Sequence, residues 1–141
     1  MKTMEIKQRE KVVSILSEVL YTEEGVVFAY LYGSFATESI FNDIDIFIYI
    51  RNDKNPFTYP VAIKEKLFDA INKSEINTFT IDDFDVRIIN DAPYDIVINI
   101  LCEGKLMVDK NFDLRTDFIE NMSNKYRANY FVLDEAYDES R

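Results

Sequence analysis

Two aspartates one residue apart, Asp43 and Asp45, lead a run that is otherwise apolar: Asp-Ile-Asp-Ile-Phe-Ile-Tyr-Ile over 43–50. Residues i and i+2 of a strand project to the same face. The run therefore predicts two carboxylates side by side, with Ile44 turned into the core. Like charges so close repel, and each resists desolvation. A divalent cation would remove the conflict, because two carboxylates on one rigid strand form half of a Mg²⁺ site. Taken alone, the pair is as compatible with solvated aspartates fraying at a strand start.

Upstream, Gly33 and Ser34 end the apolar run Val-Val-Phe-Ala-Tyr-Leu-Tyr of 26–32. A glycine closing a buried strand, followed by a serine opening a helical turn, presents backbone N–H groups that can cradle a phosphate. An ordinary strand-to-turn glycine is the alternative. The placement of this turn just ahead of Asp-x-Asp is the uncommon feature.

Composition narrows the chemistry. The chain has no histidine and one cysteine. Histidine-based zinc sites and His-dependent triads are excluded, so a catalytic metal must be held by carboxylates, which favours Mg²⁺ or Mn²⁺. The net charge of −10 argues against direct nucleic-acid binding, which usually needs a basic field. Cys102 cannot form an internal disulfide, consistent with the cytoplasm. In the run Ile-Leu-Cys it is expected to be a small core residue. No 18-residue apolar run offers a membrane span. The N-terminal Met-Lys-Thr-Met-Glu-Ile-Lys has no apolar signal region.

The elements that must position these groups follow from periodicity. At 141 residues and 48% hydrophobic content, a single folded domain over 1–141 is expected. Val12, Ile15, Leu16, Val19 and Leu20 predict a helix over 4–20. The run 26–33 predicts a strand buried on both faces, and Ser34 is expected to cap a short helix. Strands are expected at 43–50 and 84–89, with a helix over 61–74 between them. A further helix over 94–103 is expected to end at Gly104 as its C′ residue. Residues 105–109 predict a short edge strand. Leu114, Phe118, Met122 and Tyr126 predict a long terminal helix. The class is α/β (α+β), a small mixed central sheet flanked by helices.

Gly-Ser-Phe-Ala followed by Asp-Ile-Asp-Ile resembles the signature of the DNA polymerase β-like nucleotidyltransferases, and the small size resembles their minimal (MNT-domain) members. "FDVRIINDAP" and "ILCEGKLMVDKN" are similar to the family's third-carboxylate strand, the loop into a helix and the turn into a short strand. The resemblance implies the nucleotidyltransferase fold over roughly residues 10 to 110. It implies catalytic and metal-holding roles for Asp43, Asp45 and Asp85, with two Mg²⁺ or Mn²⁺ ions and ATP as substrate. Asp82 and Asp83 lie close by, but they read as loop, whereas Asp85 has the fixed direction of a strand. Gly33 and Ser34 would seat the phosphates. Arg87, two residues beyond Asp85 on the same face, would contact the triphosphate or neutralise the acids as an ion pair.

MNT proteins pair with HEPN-domain toxins. The resemblance thus implies an antitoxin that transfers AMP to a hydroxyl, a tyrosine of a HEPN partner. Two departures stand out. The stretch between Ser34 and Asp43 is shorter than usual, and Thr37 and Glu38 occupy positions where the family often has Arg-Gly. They keep a second reading open, a binding module that neutralises its partner by occlusion. Transfer to a small molecule such as an aminoglycoside is a third reading, but the extra substrate domain that such enzymes carry is not expected in 141 residues. The aromatics Tyr126, Tyr130, Phe131 and Tyr137 read as core or as a partner-facing stripe. The acidic stretch 133–140 reads as a solvated end or a contact for a basic toxin, and a homo-oligomer stays open.

Overall fold

The computed structural model describes the backbone of residues 1–139, with side chains described through Ala128. The chain runs β1 (Lys2–Thr3), α1 (Ile6–Thr22), β2 (Val26–Tyr32), α2 (Ser34–Thr37), β3 (Ile40–Phe41), β4 (Ile44–Ile50) and α3 (Tyr59–Lys73). After a 3₁₀ turn over Ile81–Asp83 come β5 (Phe84–Ile88), α4 (Tyr94–Glu103), β6 (Lys105–Asp109) and α5 (Phe112–Glu139). The main sheet has strand order β5-β4-β2-β6. Its β2 pairs antiparallel with β4 and β6, and β4 pairs parallel with β5. β1 and β3 form a separate antiparallel pair, which the periodicity of so few residues does not announce.

Each face of the sheet carries its own core. On one face, Ile44, Ile46 and Ile48 of β4 and Ala29 and Leu31 of β2 meet Val12, Leu16 and Leu20 of α1 and Ile63, Leu67 and Ile71 of α3. The four-residue spacing on both helices forms one apolar stripe each. Each fully buried isoleucine of β4 contributes about 1.5–3 kcal/mol, which anchors the strand that carries Asp45. On the opposite face, Phe28, Tyr30 and Phe47 pack against Val97 and Ile100 of α4 and Phe118 and Met122 of α5. A register shift in β2 between Val26 and Phe28 lets these two residues, two apart in the strand, face opposite cores.

Two local expectations are corrected, and the open reading of the α5 aromatics is narrowed at Tyr126. Cys102 is exposed rather than core, because α4 turns Val97 and Ile100 inward and leaves Cys102 on its outer side. Gly104 ends α4 as expected, but its φ of −75° is not left-handed. Glycine is needed there for space: an added Cβ would overlap the Ile100 carbonyl oxygen and come within 3.1 Å of the Leu31 carbonyl oxygen. On α5, Phe118 and Met122 are buried while Tyr126 is 39% exposed, its ring 6.4 Å from that of Tyr94. Tyr130, Phe131, Tyr137 and the acidic stretch lie outside the residues whose side chains are described.

Candidate active site

β2 delivers the chain to Gly33, whose φ of +84° lies in the left-handed region that glycine enters without steric cost. Gly33, not Ser34, is the N-cap of α2; Ser34 is its first helical residue. The turn is closed by its own backbone and one hydroxyl. Ala36 N–H donates to the Gly33 carbonyl at 3.0 Å, and Glu38 N–H donates to the Ser34 carbonyl at 2.7 Å. The Thr37 hydroxyl donates to the Gly33 carbonyl at 3.3 Å. Thr37 therefore has a structural task at a position where a cation was expected.

Asp43 stands one residue ahead of β4 and is exposed, so the strand pleat does not fix its direction as the sequence suggested. Asp45 is the second residue of β4 and half-buried. Tyr32 lies opposite it on β2. On the other side, the parallel register sets Asp85 of β5 opposite Asp45. Two carboxylates separated by the length of α3 and its loops thus become neighbours on one face. Burial, then the charges of Asp85 and Asp43, raise the Asp45 carboxyl above its ordinary value of 3.8, with Arg87 opposing.

Arg87 and Asp85 form an ion pair at 2.9 Å, the ion-pair alternative that the sequence left open for Arg87. Asp83 is committed elsewhere. It accepts from the Thr80 backbone N–H at 2.8 Å and from Lys2 at 3.1 Å. Burial opposes its ionisation, but these bonds prevail and hold its carboxyl below the ordinary range. Asp82 is exposed on the 3₁₀ turn.

A cavity of about 350 Å³ opens over this pair of strands, lined by Tyr32, Asp45, Phe47, Asp85, Arg87, Ile96 and Asn99. Four of these lining residues were not singled out from the sequence. Phe47 is legible in principle, being i+2 from Asp45 on the same face. Ile96 and Asn99 share a face of α4 at i, i+3, but nothing local says that this face covers the end of the sheet. Tyr32 closes β2 just before the glycine.

The donors suit a hard divalent cation: they are all oxygen, and the charge crowded around Asp45 is what such an ion would relieve. As the side chains stand, no group of three acidic or cysteine residues is gathered to hold an ion, among the described residues. The Arg87 ion pair engages Asp85, and Asp43 is exposed.

Three solved assemblies contain chains of similar fold. Against the complex of tri-AMPylated Shewanella oneidensis HEPN toxin with MNT antitoxin, the TM-score is 0.59 at 17% identity, covering 96% of this chain and 98% of the other. A toxin–antitoxin structure with AMP-PNP gives 0.61 at 17% identity, covering 93% and 96%. A mutant of the MntA–HpeT toxin–antitoxin gives 0.62 at 15% identity, covering 93% and 96%. No curated protein sequence matches the chain. The model of the nucleotidyltransferase family described as polymerase beta matches residues 14–113, which include the glycine turn and all three aspartates, and the chain belongs to that family.

Proposed function

We propose that the chain transfers AMP from ATP to a hydroxyl, a tyrosine of a HEPN-domain partner, and so acts as an antitoxin. The observation that carries this reading is the direct opposition of Asp45 and Asp85 across β4 and β5, beside the left-handed Gly33. The family membership and the shared fold with chains from complexes containing AMP-PNP or an AMPylated HEPN toxin support it.

Asp43, Asp45 and Asp85 would hold Mg²⁺ or Mn²⁺, two ions in the full arrangement. Bound there, the ions neutralise phosphate charge and lower the pKa of the acceptor hydroxyl. The backbone of Gly33 and Ser34 seats the β- and γ-phosphates. Tyr32, Phe47 and Ile96 give the cavity apolar walls that exclude water beside the acids. Arg87, once Asp85 turns from it, is free to meet the triphosphate. The acceptor oxygen bonds to the α-phosphorus as the bond to the departing pyrophosphate breaks, and the acceptor proton leaves to solvent.

The occlusion reading has two observations in its favour: Asp85 is engaged by Arg87, and the turn presents Glu38 instead of a cation. Mass spectrometry of a HEPN protein encoded beside this chain, after co-expression, separates the two. Added AMP that disappears with Asp43→Asn/Asp45→Asn is the expected result. An unmodified partner neutralised by both forms would decide for occlusion.

A further inference from the structure

One side chain outside the glycine–aspartate motif grips the segment that joins its two halves at two points. Arg9, half-buried on α1, donates from Nη2 to the Phe35 carbonyl and from Nη1 to the Ser39 carbonyl at 3.3 Å. Phe35 sits in the single turn of α2, and Ser39 follows it. Within α2 the Ser34 carbonyl is taken by Glu38 N–H, whereas the Phe35 carbonyl, one of those at the end of so short a helix that intrahelical bonds do not reach, is met by the guanidinium. The same group stands 4.6 Å from the Phe35 ring centroid and 4.9 Å from that of Phe41. The two rings meet edge-to-face at 4.7 Å. Phe35 is two residues beyond Gly33, and Phe41 is two residues before Asp43. Arg9 makes no ion pair among the described residues. Its charge therefore remains available behind a turn that carries Glu38 and no cation of its own.

We infer that Arg9 is a positioning residue for nucleotide binding, holding the turn from Gly33 to Ser39 in the shape that receives the phosphates. This rests on the nucleotidyltransferase reading. Arginine suits the task because its planar fork serves two carbonyls and stacks on rings at once, which lysine cannot do. The stem of Arg9→Met would still cover the rings while offering no donor.

The test is calorimetric titration of wild type, Arg9→Met and Arg9→Lys with ATP at saturating Mg²⁺, and separately with Mn²⁺ alone. Losing these bonds should weaken ATP binding about five- to tenfold in Arg9→Met. Arg9→Lys should fall between that and wild type, and Mn²⁺ affinity should be the same in all three. A merely structural role would not separate nucleotide from ion in this way. If Arg9→Met fails to fold, the comparison of Arg9→Lys with wild type carries the test. ATP affinity unchanged in a folded variant, or ATP and Mn²⁺ affinities falling together, overturns the inference alone. Absence of ATP binding by the wild type overturns the nucleotidyltransferase reading, and this inference with it.

Discussion

Gly33 and Asp45 stand so close that a Cβ on the glycine would overlap the Oδ2 oxygen of the aspartate. The glycine turn and the acidic strand are thus fitted to each other through the missing side chain of one residue. Gly33→Ala should cost about 1–3 kcal/mol from a backbone at φ +84° and ψ −163° that is essentially reserved for glycine, plus the displacement of the carboxylate. In the double variant Gly33→Ala/Asp45→Ala only the backbone strain remains. Urea denaturation of the four proteins should therefore show that the alanine at 33 is less damaging when Asp45 is absent. Strictly additive effects would refute the contact.

The crowding around Asp45 makes a pH-dependent prediction. Its folded-state pKa is raised, first by burial and then by Asp85 and Asp43. Such a group favours the fold while protonated, below its ordinary 3.8, and that contribution is lost as pH rises through the raised value. Ion-free Asp45→Asn should accordingly melt higher than wild type at pH 7. The difference should shrink as pH falls through the raised value and be absent below the ordinary one. Melting curves by circular dichroism at stepped pH check this, and a gap that persists in acid would contradict it.

Asp83 and Asp85 should separate cleanly in ion binding. Asp85→Asn removes a proposed ligand and should weaken Mn²⁺ binding by the equivalent of about 1–3 kcal/mol. Asp83→Asn should leave Mn²⁺ binding unchanged but lower stability by about 0.5–2 kcal/mol, because it disturbs the Thr80 capping box. The depressed carboxyl of Asp83 stabilises the fold above 3.8. That contribution is lost as pH falls through its depressed value, so the stability deficit should fade in strong acid. Equal Mn²⁺ affinity for Asp85→Asn and wild type would remove Asp85 from the site.

Gly104→Ala is expected to lower stability by more than 1 kcal/mol, since a methyl group has no room between the Ile100 and Leu31 carbonyl oxygens and overpacking costs about 1–3 kcal/mol. Chemical denaturation with an unchanged midpoint would show that the junction of α4 and β6 relaxes more easily than its contacts suggest.

Much of this molecule is legible along the chain. The three-and-four spacing of α1 and α3, the apolar runs of β2 and β4 and the bounds of α4 follow from patterns within one element. The turn at Gly33 and the acids at 43, 45 and 85 were also visible, because residue type and position in a strand are local facts. What the sequence could not decide is which elements meet. The pairing of Asp45 with Asp85 depends on the parallel register of two strands joined through α3. That register is set by the burial of Ile44, Ile46 and Ile48 against α1 and α3, not by either strand alone. The engagement of Asp85 by Arg87, the cover of Ile96 and Asn99 over the acids and the reach of Arg9 to Phe35 and Ser39 all depend on packing. The outward turn of Cys102 likewise follows from which face of α4 is buried, and the need for glycine at 104 from the approach of β2. Periodicity tells each residue which way it faces within its own element, and only the closed core decides what stands opposite.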